Sequence, residues 1–411
     1  MSFSTLVVVF VIALASKAAA QDQSPAPVVA GWRGGFVLQS DNGDYRMQLN
    51  ALLQTDGRFA IDDPQNNVIS TFTVRRLRPI LQGRIAKVFE FYFTPDFAGG
   101  IVNIRDAYVD TRFSPALRIR VGKGKTPFGL ERLQVAAYLS FVERALPTTV
   151  APDRAIGMQA MGDLAGGVVS YQAGIFNGVA DGGSAEADVN DSKDVAGRLV
   201  VRPHARHANS PLEGLGIALA GSSGVQPAAL PSFRSSGLQT FFAYDQAAVG
   251  EGARHRVSPQ FFYYYKSIGI FGEYVRSTGA VARGAASADI VHESLMIAGS
   301  VIVTGEAASD RGVRPKHPFD PSKHRLGALQ ITARYHALVV DPQVFALGFS
   351  APGSSREARA FTLGANWHLN AFVKWVFNFE RTVFDGNRSP ARHAENAALL
   401  RSQISFYEGS P

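Results

Sequence analysis

The chain contains no cysteine among its 411 residues, which excludes thiol nucleophiles, thiolate metal sites and disulfide staples. Long apolar runs are equally scarce. Residues 6–15, LVVVFVIALA, are too short to cross a bilayer as a helix, which needs ~18 apolar residues. The small residues Ala18, Ala19 and Ala20 come next, so residues 1–20 read as a signal peptide cleaved after Ala20, even though no Lys or Arg precedes Leu6. Beyond residue 20 no stretch is apolar enough for a membrane helix. The exported chain is therefore either soluble or crosses a membrane by strands.

Catalytic motifs are missing as well. Gly124-Lys125-Thr126 looks like the tail of a phosphate-cradling loop, but Ile119 stands where that motif needs glycine. His292-Glu293 lacks the second histidine of a zinc-protease helix, because Met296 occupies its place. His204 and His207 lie in a polar link and read as solvated. Ser222, within GSSGV, does not match the nucleophile elbow. No enzymatic activity, cofactor or metal site emerges from these residues.

A formal charge of +7 admits nucleic acid, an anionic membrane surface or small anions as partners. The arginines sit singly at alternate positions and no helix-turn-helix or RNA-binding signature accompanies them, so nucleic acid is excluded. Small anions meeting an internal lining fit the pattern.

What the chain does have is alternation. Residues 21–33, QDQSPAPVVAGWR, lack it and read as a flexible lead-in. From Tyr45 onward the pattern changes. Tyr45, Met47, Leu49, Ala51 and Leu53 alternate with Arg46, Gln48, Asn50 and Gln54, and Leu77, Leu81 and Ile85 alternate with Arg76, Arg78, Gln82 and Arg84. Phe361, Leu363, Ala365 and Trp367 oppose Thr362, Gly364, Asn366 and His368. Period-two segments of ~10 residues between turns are the signature of a transmembrane barrel. Links alternate too, between short ones such as Ala86-Lys87 and Ser114-Pro115 and long ones such as Asp62 to Ser70, Asp181 to Asp194 and Ala307 to Lys323. That predicts one rim of tight turns and one of long external loops. Counting candidates gives about seventeen strands, one too many for a bacterial barrel, whose strand number is even. The surplus lies within 234–277, where FFAY, FFYYY and IFGEYV compete.

Residues 105–144 organise the rest. Two strands meet at Ser114-Pro115, with Asp106, Tyr108, Asp110 and Arg112 on one face, and Arg118 and Arg120 opposing Leu117, Ile119 and Val121. The second strand opens into a long segment, 125–154, that is able to fold inward and narrow an aqueous lumen, with Lys125, Arg132, Arg144 and Arg154 supplying charge. The series VGKGKTPFGLERLQ and LSFVERALP, with FTVRRLRPILQGRI at 72, RDAYVD at 105, TGE at 304 and FTLGANWHLN at 361, resembles the phosphate-selective porin O and P family of bacterial outer-membrane channels.

That resemblance implies an all-β, sixteen-stranded antiparallel transmembrane barrel spanning 34–411, with an inward-folding loop. It further implies a homotrimer in outer-membrane lipid that passes phosphate, polyphosphate or other small anions. The family's anion pocket carries over to Arg75, Arg76, Asp106 and Arg132, and its basic ladder, more loosely, to Arg254 and Arg256; Lys125 completes the candidates. Where phosphate-binding members place hydroxyl and lysine side chains, this chain has Val135, Ala136 and Ala137, and where they place a first-strand arginine it has Leu52. Both departures argue against tight phosphate selectivity. Adjacent Arg75 and Arg76 cannot both face a lumen from a regular strand. Arg75 needs a bulge or a place at the rim. The alternative is a barrel with a non-transport role, as a hydrolase or a structural or adhesive protein.

Overall fold

The computed structural model describes residues 27–62, 69–188, 190–207, 209–225, 230–385 and 392–407; the signal peptide expected over 1–20 lies outside them. Among these described residues eighteen strands are hydrogen-bonded into one sheet and two more form a separate hairpin. Within the sheet, β1 (Val28–Trp32) and β2 (Phe36–Ser40) are an appended hairpin. The other sixteen close into an antiparallel barrel. They begin with β3 (Arg46–Ala60), β4 (Thr71–Ile85), β5 (Phe89–Asp96), β6 (Asn103–Ser114), β7 (Leu117–Lys125) and β8 (Arg154–Leu164). Next come β9 (Val169–Phe176), β10 (Asp194–Val201) and β11 (Leu215–Val225). After the small hairpin of β12 (Ser232–Arg234) and β13 (Thr240–Ala243), the wall continues through β14 (Val249–Tyr265), β15 (Ile268–Arg283) and β16 (Ala286–Ile302). It ends with β17 (Ala328–Val340), β18 (Glu357–His368), β19 (Val373–Asp385) and β20 (Glu395–Phe406). Last strand pairs with first, from Ala397 opposite Ala60 to Phe406 opposite Ala51.

The alternation read from the sequence is the alternation of the wall. On β19 Lys374, Val376, Asn378, Glu380 and Thr382 are buried, whereas Trp375, Phe377, Phe379 and Val383 are 41–47% exposed on the outside. Large apolar side chains facing out around a closed sheet suit lipid, and closure satisfies the backbone without a membrane helix.

Three expectations change. Residues 28–32, read as flexible lead-in, pair with 36–40, and β2 adds to the start of β3, from Phe36 opposite Leu49 to Gln39 opposite Arg46. β1 shows no alternation because it is exposed on both faces. The surplus strand of 234–277 is Thr240–Ala243, which pairs with Ser232–Arg234 and not with the wall. Its Phe241 and Phe242, with Phe233, are buried inside the barrel mouth. Finally, the link containing 307–323 is no external loop. It leaves the same rim as the tight turns after β4, β6 and β14, because a two-residue turn at Gly284, φ +59°, joins β15 to β16 at the opposite rim and sends β16 back toward the turn side.

Segment 126–153 enters the lumen and is tied across it. Leu130 N donates to Glu273 Oε2 at 2.7 Å on β15, Val142 N to Asn378 Oδ1 at 2.7 Å on β19, and Leu146 N to His336 Nδ1 at 3.2 Å on β17. Phe128 and Val150 join an apolar cluster with Phe233, Phe242, Leu338 and Phe349. This packing fills the lumen on the β14–β19 side. Open space is left along β3–β9.

Candidate functional site

That open space is a cavity of about 750 Å³ lined by twelve arginine and lysine side chains and four carboxylates. The excess is produced by strand parity, because Arg76 and Arg78 on β4 and Arg118 and Arg120 on β7 all take lumen-facing positions.

Two bulges add to it. Gln54 opposes Arg76 while Thr55 opposes Val74, so Arg75 is the extra residue and both arginines of the pair line the cavity. Arg75 Nε lies 3.0 Å from Glu143 Oε1 on the inward loop. A second irregularity, where Thr94 opposes Asp106 and Pro95 opposes Ile104, frees Arg105 in the same way, and both Arg105 and Asp106 line the cavity.

Most of the cations are neutralised. Asp106 takes two hydrogen bonds from Arg154, at 3.0 and 3.1 Å. Asp153 is shared by Arg105 at 2.7 Å, Arg154 at 2.9 Å and Arg132 at 3.6 Å. Arg132 also donates to Thr148 O. Burial alone pushes the Asp153 carboxyl up, but Arg154, Arg132 and Arg105 together hold it well below the usual carboxylate range. Glu143 behaves alike, with burial opposed by Arg75 and Arg58 and the net shift downward.

Three cavity-lining cations beside the inward loop are held by neutral acceptors and not by carboxylates. Arg76 Nη1 donates to Gln54 Oε1 at 2.5 Å. Lys125 Nζ donates to Leu133 O at 2.9 Å and Gln134 O at 3.0 Å. Arg144 donates to Glu131 O at 3.0 Å and Gln134 O at 2.6 Å. Such acceptors position these groups without cancelling their charge. In partly desolvated surroundings one unit charge acting on another at 4 Å is worth between ~1 kcal/mol in water and ~4 kcal/mol at an effective dielectric of 20.

Of the residues singled out in the sequence, Arg75, Arg76, Asp106, Lys125 and Arg132 therefore meet in one cavity. Arg254 and Arg256 do not. Arg256 Nε lies 2.6 Å from Asp181 Oδ1, and Arg254 Nη1 lies 4.0 Å from the same oxygen, both arginines being buried behind the cavity wall. Arg254 lines a separate space of about 10 Å³ with Tyr244 and His292. Sequence cannot separate these arginines from Arg76, since all three take inward positions. The carboxylate that removes them comes from a link between β9 and β10. Arg198 was missed for the opposite reason: its short strand shows little alternation, yet it lines the cavity, and its Nε meets Gln260 Oε1 at 2.9 Å. Among the described residues no group of His, Asp and Glu is placed to hold a metal ion.

A family model described as "Phosphate-selective porin O and P" matches residues 47–406. Comparison with curated protein sequences gives no match. Among solved structures, the outer-membrane channel DcaP of Acinetobacter baumannii superposes with a TM-score of 0.60 at 11% identity, covering 92% of this chain and 100% of that one. The anion-selective porin of Comamonas acidovorans gives 0.56 at 13% identity over 88% and 100%. The trimer form of OmpT from Vibrio cholerae gives 0.55 at 10% over 88% and 99%. At such identities these likenesses concern the fold. The family match covers nearly the whole chain, and with the closed barrel and its basic lumen it assigns the chain to the phosphate-selective porin O and P family: a porin channel of the bacterial outer membrane.

Proposed function

We propose that this porin is anion-selective and passes phosphate and similar small anions by passive diffusion. The observation that carries the reading is the trio Arg76, Lys125 and Arg144, cations held by neutral acceptors at the cavity beside the inward loop. Charged side chains at a constriction set selectivity, and arginine and lysine favour anions. Release is preserved because the neighbouring cations are already occupied by Asp106, Asp153 and Glu143. Arg75, Arg132, Arg105 and Arg154 act in this reading as the surrounding positive field, with Glu143 holding Arg75 and Asp106 and Asp153 holding the other three in place.

The working unit in this reading is a homotrimer in outer-membrane lipid, in keeping with the family and with the trimeric form of the structurally similar OmpT. Residues 1–20 are removed on export, so that the mature chain begins at Gln21; N-terminal sequencing of protein from outer membranes reads this directly.

The deciding measurement is a reversal potential in planar bilayers under a potassium chloride gradient. Anion preference is expected. A potential of the opposite sign, or a barrel without conductance, overturns the proposal.

A further inference from the structure

The three cations beside the inward loop do not stand in a polar ring. Gln134 O receives both Lys125 Nζ, at 3.0 Å, and Arg144 Nη2, at 2.6 Å. Two residues on, Ala136 O receives Gln54 Nε2 at 3.2 Å, and the other end of that amide accepts from Arg76. All three cations are thus gathered around one short piece of backbone, 134–136. The side chains beside that backbone are apolar. Val135 and Ala136 pack with Leu52 and Ala137 in a single cluster, and Leu133 and Ile80 line the same cavity beside them.

Donor capacity remains on the charged side. An ammonium group has three donors and a guanidinium five. Lys125 uses two of its donors on carbonyls, Arg144 two and Arg76 one. A fully hydrated inorganic phosphate gives up water on every side when it enters such a place, and methyl groups do not replace it; a polar group buried without partners is costly. An anion with charge at one end and an apolar body at the other meets both surfaces at once. The cavity, at about 750 Å³, has room for it. It also contains Tyr92 and Tyr108, whose rings stack with centroids 5.2 Å apart and planes 10° from parallel, with the Arg120 guanidinium 3.5 Å from the Tyr108 centroid.

We propose that the turn at 134–136 is a binding site for organic carboxylates with a compact apolar body, an aromatic ring above all, and that the channel prefers them to inorganic phosphate. The carboxylate lies against Arg76, Lys125 and Arg144 while the ring rests on Val135, Leu52 and Ile80. This inference builds on the anion-channel reading and names the class of anion that the site favours.

The test uses the full mature chain in planar bilayers. Chloride current is titrated with benzoate, acetate and phosphate at matched ionic strength. Benzoate is expected to block at a concentration at least tenfold below that of acetate, with phosphate no better than acetate. In Val135→Ser the ratio of benzoate to acetate block should fall several-fold, because the apolar half of the site is lost. Equal block by benzoate and acetate, or phosphate as the strongest of the three, overturns the inference while leaving an anion channel intact. A cation-selective or non-conducting barrel overturns both readings together. The wild-type titration decides the matter even if the serine variant fails to assemble.

Discussion

Replacing Arg76 with alanine removes a cation whose partner is the neutral amide of Gln54. No carboxylate is left behind, so the change subtracts charge from the lumen without orphaning a counterion. A loss of ~1 kcal/mol in local anion stabilisation, the value for one charge in well-hydrated surroundings, lowers the chloride-to-potassium permeability ratio roughly fivefold. A ratio unchanged from wild type removes Arg76 from the selectivity site. Arg256→Ala makes the opposite case. Its guanidinium binds Asp181 Oδ1 at 2.6 Å and Val179 O at 2.9 Å away from the cavity, so the permeability ratio should hold. Stability should fall by ~3 kcal/mol, as expected when half of a buried pair is removed, and thermal unfolding in detergent measures it. The sequence shows both arginines at inward positions on alternating strands. It does not show the counterion, because Asp181 is brought to Arg256 by a link whose path no periodicity encodes. Arg105 was hidden for a related reason: a bulge has no residue signature here, and only the contradiction of the adjacent Arg75 and Arg76 pointed to the other one.

At the level of elements, the inward loop hangs on carboxylates. Glu143 joins Arg75 and Arg58, and Asp153 joins Arg105, Arg132 and Arg154. Both carboxyls titrate below their unfolded values. A depressed carboxyl contributes stability that is fully present above its unfolded pKa, about 4, and is lost as pH falls through the lower folded value. The loop should therefore keep its place from neutral pH down to about pH 4 and loosen only below that. Asp153→Asn should be less stable than wild type at neutral pH and should lose less on acidification, a comparison that melting temperatures across the pH range provide. An unfolding curve with the same pH dependence in both proteins contradicts this assignment. The periplasmic link 303–327 approaches the loop from below: Gln134 Nε2 donates to Asp310 O at 3.4 Å, and a Cβ on Gly312 would lie 3.1 Å from the Tyr138 ring. Shortening it by excision of 308–314 is expected to raise single-channel conductance, and an unchanged conductance shows that the link does not narrow the path. That link was misplaced in the sequence because the surplus strand counted within 234–277, which is Thr240–Ala243 and lies off the wall, reverses the rim assigned to every link after it.

For the molecule as a whole, the wall is uneven in height. β5, β9 and β10 have 8 residues each, whereas β14 and β16 have 17. At ~3.3 Å per residue and a tilt of ~40°, 8 residues reach about 20 Å along the barrel axis, short of the ~25 Å apolar band of outer-membrane barrels, and 17 residues reach well beyond it. The low side is the one that gains from being covered by another copy. Because the chain has no cysteine, a single introduced thiol reports on this cleanly. A bismaleimide should join copies through Met158→Cys on β8 and not through Phe377→Cys on β19, both outward and 48% and 42% exposed. Linkage through Phe377→Cys alone places the subunit contact on the tall side instead. Counting alternating segments overshot to about seventeen strands, and sixteen came from the family resemblance, but the outward faces were legible in the sequence because lipid on one side and water on the other impose a period of two. Wall height was not, since it depends on where each strand stops.

The seam between β20 and β3 joins residues such as Phe406 and Ala51 that stand at opposite ends of the chain. Until the final segment has been synthesised, β3 lacks its β20 partner along the stretch 51–60, and the appended hairpin of β1 and β2 covers only its beginning. A ribosome-bound or prematurely terminated copy thus carries a raw, sticky margin at each end of its sheet. Completion waits for the most distant contact in the chain, a slow event in any polymer. The cell must therefore escort the entire translation product through the intervening aqueous space before any of it is safe from clumping.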